Sequence, residues 1–176
     1  MTLKEWNADI ERSILVEAER TFGASYLTAT YLRSFLVEPD KRMIFIGSEW
    51  GFHAVSLLCV YDKGDEHIPE ELTGHDRVGH RKITMVHPDR TGMGLGRRVV
   101  EKGEEWFEEA GIPSFSLLWE NPSNGGIAML IESQDYEPQR LVPKAWSKES
   151  MERQFSCAVC GNPPCECDAT LYIREV

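Results

Sequence analysis

The chain has 176 residues, 41% of them hydrophobic, and a net charge of −10 from 29 acidic and 19 basic side chains. That length is enough to bury a core in one domain, residues 1–176, without help from disulfides. The acidity opposes non-specific binding to nucleic acid or anionic lipid, no apolar run approaches a membrane span, and "MTLKEWNADIERS" lacks the apolar stretch of a signal peptide. A cytoplasmic protein with no nucleic-acid or membrane partner is therefore expected.

In chain order, "TLKEW" reads as a short first strand. Asp9 is placed to cap a helix over "DIERSILVEAERTFG", with Ile10, Ile14, Ala18 and Phe22 on one face and Gly23 as the stop. "TATYLRSFLVEPD" is a second helix, closed before Pro39. "KRMIFIGSEW" and "GFHAVSLLCVYDK" are strands joined through Gly51 as a hairpin, and "GDEHIPEELTGHD" is a polar loop. "RVGHRKITMVHP" is a fourth strand, stopped at Pro88. After the segment "DRTGMGLG", a helix over "RRVVEKGEEWFEEAG" carries Val99, Gly103, Trp106 and Ala110 on one face, with Val100 and Phe107 beside it. Charges fill its other face. "SFSLLW" is a fifth strand, "NPSNGGIAMLIESQ" a loop entering a short helix, and "YEPQRLVPKAW" and "ATLYIREV" are closing strands with four cysteines between them.

Three glycines within Gly92–Gly96 need a physical reason, because each costs chain entropy. A backbone held against a phosphate is such a reason. A P-loop requires Lys and then Ser or Thr after its last glycine, but Arg97 follows Gly96. A dinucleotide fold requires G-x-G-x-x-G, and Gly92-x-Gly94-x-Gly96 has a different spacing. A plain left-handed turn between strand and helix is the bland alternative. Strand, glycine turn, amphipathic helix, strand and then "NPSNGGIAMLI" resembles the GNAT superfamily of acyl-CoA-dependent N-acyltransferases over roughly residues 40–140.

The family signature Q/R-x-x-G-x-G/A falls on Thr91-Gly92-Met93-Gly94-Leu95-Gly96, with Thr91 at the position usually held by Gln or Arg, and Arg90 one residue early. The resemblance implies that acetyl-CoA lies against this turn, its pyrophosphate on the backbone amides. Met85 and Val86 at the strand end, Arg97 or Arg98 after the turn, and Asn124 after the fifth strand are the further contacts it implies. The attraction of an anion to uncapped helix amides is general. In the pattern N-x-x-A-x-x-L-Y-x-x-x-G-F, Asn124 and Leu130 fit, Tyr136 replaces the last aromatic, and Ile131 stands where a thiolate-protonating tyrosine is common.

The family's general base often lies on the fourth strand. Alternation in "GHRKITMVHP" puts His80, Lys82, Thr84 and Val86 on one face, which makes His80 the candidate base, with a satisfied structural histidine as the alternative. His87, next to Pro88, is read as structural. Cys59, inside "AVSLLCVY", is read as a small core residue rather than a nucleophile.

"CAVCGNPPCECD" spaces Cys157, Cys160, Cys165 and Cys167 as C-x2-C-x4-C-x-C, a soft donor set that suits one structural Zn2+ in a loop over residues 157–167. An iron–sulfur site, a redox pair and four free thiols are the alternatives, and nothing in the GNAT resemblance speaks for the loop. The expected whole is an α/β protein with a mixed, mostly antiparallel sheet flanked by helices. The sheet is splayed between its fourth and fifth strands around acetyl-CoA, and a small four-cysteine loop precedes the last strand. The expected reaction is acetyl transfer to a primary amine by direct attack. The alternative is a non-catalytic acyl-CoA-binding or protein-interaction module with a structural zinc loop.

Overall fold

A computed structural model describes residues 6–120 and 125–175. The first strand expected over "TLKEW" lies outside these residues except for Trp6, which is in no regular element. Among the described residues no helix is long and apolar enough to cross a membrane.

Helices α1 (Ala8–Phe22) and α2 (Ala29–Val37) open the chain. The cap of α1 is Asn7, not Asp9. The Asn7 carboxamide oxygen accepts from the amides of Asp9 and Ile10, both at 2.9 Å. Asp9 then sits in the first turn, where its charge complements the helix dipole. Strands β1 (Lys41–Ser48) and β2 (Gly51–Asp62) form the expected hairpin, pairing from Lys41↔Cys59 to Ser48↔Gly51. Strand β3 (Arg77–Val86) follows the polar loop, then α3 (Leu95–Ala110), β4 (Ser114–Trp119), α4 (Gly125–Glu132) and β5 (Glu137–Val142). A seven-residue helix, α5 (Ser147–Arg153), adds to the expected elements, and β6 (Ala169–Arg174) closes the chain.

The sheet order is β1-β2-β3-β4-β6-β5, and every neighbouring pair is antiparallel except β3 with β4. On one face α1 and α2 cover a core of Ile10, Ile14, Leu32, Phe35, Leu57 and Ile83, joined by Phe155. On the other face lies α3, with Phe107 against Leu58 and Val60, and Val99 against Ala54.

The contact between β3 and α3 depends on two glycines. A Cβ on Gly79 would stand 2.6 Å from the Phe107 ring, and one on Gly103 would stand 2.9 Å from the Arg81 guanidinium. The buried stripe of α3 runs through Val99, Val100, Gly103, Glu104 and Phe107, so it is rotated from the expected face. Ala110 is exposed, and Glu104, expected among the solvated charges, is buried. The cause is ionic. Arg81 reaches from β3 to Glu104, to the Val100 carbonyl (3.1 Å) and to Ser56 Oγ (2.8 Å). The second Glu104 oxygen accepts from Arg174 of β6 at 3.2 Å, and the Tyr136 hydroxyl donates to the first at 3.0 Å. A carboxylate taken out of water in this way is held by the charges and donors that replace the water.

Candidate acyl-CoA site

Strand β3 carries a bulge. Leu57 pairs with Ile83 and Leu58 with Arg81, leaving Lys82 as the extra residue. A bulge bends a strand and shifts side-chain alternation by one. Gly79 and Arg81 therefore face α3, and beyond the bulge so do Thr84 and Val86. Ser56 Oγ contacts both Arg81 and Thr84 Oγ1 (3.0 Å), and Val86 packs with Leu95 and Val99. The face expected from strict alternation is thus corrected: His80 points away from Thr84 and Val86.

The pairing of β3 with β4 is limited to Gly79↔Ser114 and His80↔Phe115. One more link, from Ser116 Oγ to the Arg81 carbonyl (3.1 Å), closes the paired end. Past the bulge the strands separate, as expected of the fourth and fifth strands, and a cavity of about 130 Å³ opens between them. Lys82, Thr84, Leu117, Trp119 and Ile127 line its strand and α4 sides, and Tyr26, Trp146 and Phe155 line the opposite wall.

At the other end of β3 the chain runs through a short 3-10 turn, Pro88–Arg90, into the glycine segment. Gly92 (φ +73°) and Gly94 (φ +72°) are both left-handed, and Gly94 is the cap of α3 with no side chain bonded to the helix amides. A Cβ on either would meet nothing, so these two glycines are there for conformation and leave open space in front of the amides. Gly96 serves another purpose, since its Cβ would come within 3.2 Å of Val86 Cγ2. The groove beside this turn is lined by Met85, Val86, Arg90, Thr91, Gly92, Gly94, Leu95 and Gly96, by Gly126 and Leu130 of α4, and by Glu17 and Arg20 of α1. It shares Thr21, Thr84 and Ile127 with the cavity, so groove and cavity are continuous.

The implied cofactor residues thus largely converge, with two exceptions. Met93 is 59% exposed beyond the groove lining, and Arg97 turns back toward Glu101 at 3.9 Å; the basic groove residues are Arg90 and Arg20. Asn124 lies outside the described residues. Ile131 is fully buried against Tyr136 and Tyr172, away from the cavity.

His80 sits at the paired end, stacked on Phe115 with ring centroids 4.2 Å apart, its Nδ1 3.2 Å from the Tyr61 hydroxyl. Burial, with Lys82 and His67 adding to it, pushes its pKa well below the ordinary histidine range. It does not line the cavity; its ring is held between Phe115 and the Tyr61 hydroxyl. Lys82, which alternation puts on one face with His80, lines the cavity while His80 does not, and it is the bulged residue. Its ammonium holds Glu149 at 3.0 Å, and Arg153 holds the same carboxylate. Burial would raise the Glu149 pKa, but these two cations outweigh it and hold the carboxyl below its usual value.

The four cysteines lie on the far wall, three of them, Cys157, Cys165 and Cys167, facing the cavity. None of the four is in a disulfide, and their sulfurs fall within 4.8 Å of one another. The Cys157 amide donates to the Gly161 carbonyl (2.8 Å) and the Gly161 amide to the Cys157 carbonyl (2.9 Å), with Gly161 left-handed at φ +79°. The two bonds close a tight turn over Cys157–Gly161 that contains Cys160.

No protein-family model matches the chain, and comparison with curated proteins finds no match. Solved structures do match. NAA60 of Arabidopsis thaliana, in complex with a bisubstrate analogue, superposes at TM-score 0.70 and 7% identity, covering 96% of this chain and 93% of its own. A chain of the NatC complex bound to Gag peptide and CoA gives 0.66 at 12%, covering 100% and 95%. A GCN5-related N-acetyltransferase from Kribbella flavida gives 0.62 at 16%, also covering 100% and 95%. With the splayed strands and the glycine turn already in place, these likenesses establish that the chain has the GNAT acetyltransferase fold.

Proposed function

We propose that the protein is an N-acetyltransferase that carries an acetyl group from acetyl-CoA to a primary amine. The observation that carries this reading is the continuity of the groove under the left-handed glycine turn with the cavity in the β3–β4 splay. The pyrophosphate would lie on the uncapped amides at the start of α3, with Arg90 beside it. The pantetheine arm would follow Val86 and Ile127 inward and bring the thioester to the splay.

Among the described residues β3 has no strand partner on its β4 side beyond His80, and main-chain amides there would donate to the developing oxyanion. The amine nitrogen attacks the thioester carbon, and the tetrahedral intermediate expels the CoA thiolate. The nitrogen's proton passes to water, since neither a histidine nor a carboxylate lines the cavity among the described residues. The acceptor would enter from the wall of Tyr26, Trp146 and Phe155. The peptide in the NatC structure and the bisubstrate analogue in the NAA60 structure make a peptide amine one natural acceptor to test.

A second reading, a non-catalytic acyl-CoA-binding module, is favoured by Ile131, which is buried where the resemblance places a proton-donating tyrosine. Both readings are tested by titrating CoA into the wild-type chain and Gly94→Asp, and by assaying acetyl-CoA with small amines, peptide N-termini and lysine peptides. Binding lost in a folded Gly94→Asp, with turnover of one amine class, supports the enzyme. Binding without turnover supports the module. Unchanged CoA affinity in Gly94→Asp overturns both.

A further inference from the structure

We propose that Cys157, Cys160, Cys165 and Cys167 hold one tetrahedral zinc ion that clasps the loop between α1 and α2 and thereby fixes the acceptor-side wall of the cavity. The donor set comes first. Cys160 and Cys167 sulfurs are 3.3 Å apart and Cys157 and Cys167 3.6 Å, with all four inside 4.8 Å. A tetrahedron with zinc–sulfur bonds of about 2.3 Å has edges of about 3.8 Å, so this set closes on an ion with little movement. The Val159 amide points at Cys157 Sγ and the Glu166 amide at Cys160 Sγ, each at 3.4 Å. Four cysteines leave no position for an activated water, so the ion's work is structural.

The place of the loop decides what that work is. Its backbone is stitched to the end of α1: the Ser156 amide donates to the Ala24 carbonyl (3.0 Å) and the Ala158 amide to the Phe22 carbonyl (2.9 Å). Gly23 passes between them so closely that a Cβ there would stand 1.9 Å from the Ser156 oxygen. On the other side the Cys165 amide donates to Ser150 Oγ of α5 (2.8 Å), and the Ala145 amide to the Cys167 carbonyl (2.9 Å). The cysteine loop thus joins the α1–α2 loop, the β5–α5 connection and α5. Phe22, Tyr26 and Phe155, packed in series with ring centroids 4.9 and 5.1 Å apart, the second pair edge to face, line the cavity beside three of the cysteines.

These bonds hold the loop at its margins, while Cys160 and the turn around it are exposed. Between α5 and β6 its one pairing is the Cys157–Gly161 bridge, and Val159 is 65% exposed. A metal closes such a segment by coupling its binding energy to the fold. The groove at the glycine turn is lined by β3, α3, α4 and by Glu17, Arg20 and Thr21 of α1, and none of the four cysteines borders it.

The metal and the clasp stand on geometry alone, whereas calling the wall the acceptor side rests on the acetyltransferase reading. The test is metal analysis of the untagged chain, with amide exchange over residues 22–27 followed before and after chelation and CoA affinity measured in parallel. One zinc per chain is expected. Exchange in 22–27 should quicken on the order of tenfold or more after chelation and recover with added zinc, while CoA affinity stays unchanged. Cys160→Ser, at the exposed ligand, should lose the metal and quicken the same segment. Cobalt in place of zinc should give the absorption of a tetrahedral thiolate site. A metal-free chain with reduced thiols and slow exchange in 22–27, stoichiometric iron, or quickening spread equally to β2 would each overturn the proposal. Failure of the acetyltransferase reading would show instead as absent CoA binding, with the metal and exchange results intact.

Discussion

Below the bulge at Lys82, β3 and β4 are hydrogen-bonded neighbours, and their side chains fill the space on both faces: the Arg81–Glu104–Arg174 ion cluster under α3, and the His80–Phe115 stack opposite. Above it the same strands part, and neither strand closes the gap. Beyond β3 and β4 themselves, its walls come from the end of α1, the α1–α2 loop, α4, Trp146 and the cysteine segment. One seam therefore has a closed half specified by buried charge and an open half specified by loops. Substitutions in the closed half should act on stability and spare ligand binding, and those in the open half should act on ligand binding with a smaller cost in stability.

The largest effect is expected at Glu104. Glu104→Ala leaves Arg81 and Arg174 without their shared carboxylate, and breaking a buried pair on one side costs about 3–5 kcal/mol. Urea or thermal unfolding should show it, with a melting temperature lower by roughly 10 °C. Glu104→Gln, which keeps the size and one acceptor, should lose less. CoA affinity of the folded fraction should match wild type. A fall in affinity as large as the fall in stability would mean that the halves are not separable.

Next is Gly94→Ala in the open half. The added methyl meets nothing, so its cost is purely that of holding a side chain at φ +72°, about 1–2 kcal/mol. If the turn relaxes out of the left-handed region its amides turn away from the groove, and CoA affinity should fall about tenfold. Calorimetry with equal affinities for the two chains would break the assignment of the turn.

His80 tests the closed half through pH. Its folded pKa is depressed, so the unfolded chain binds the proton more readily. The stability that its neutral form contributes is complete above the ordinary pKa of about 6.5 and is lost as pH falls below it. Wild type should therefore lose more unfolding free energy between pH 7.5 and 5.5, chosen to bracket about 6.5, than His80→Gln does. The pH profile of acetyl transfer should be the same for both. A profile that shifts with His80 would return it to the chemistry.

These contrasts also mark what can be read from the sequence. The glycine turn is legible because a left-handed backbone is a demand that glycine alone meets cheaply, and the demand is written at the residue itself. The cysteine cluster is legible because its donors lie within one short segment. His80 is misplaced by strict alternation because a single bulge reverses it, and the bulge comes from the register of β3 against Leu57 and Leu58, more than twenty positions away. Glu104 reads as solvated because its partners sit on β3 and β6, and no pattern within α3 announces them. Helix α5 is too short to show a period. The cap at Asn7 rather than Asp9 is a choice between two good capping residues that only the backbone decides.

The smallest effect sharpens the open half. The expected cation after the turn is Arg97 or Arg98, but Arg97 leans toward Glu101 and neither borders the groove, while Arg90 lines it. An exposed cation facing a phosphate is worth little in water, so Arg90→Ala should weaken CoA by about two- to fivefold. That loss should shrink as salt rises, because the interaction is screened over about 10 Å at 0.1 M. Arg97→Ala should change neither the affinity nor its salt dependence. The Arg90 effect should also disappear when pantetheine, which lacks the pyrophosphate, replaces CoA as the ligand. A salt-sensitive loss in Arg97→Ala with none in Arg90→Ala would place the pyrophosphate over the first turn of α3 rather than beside the 3-10 turn, and would move the ligand's path along the groove accordingly.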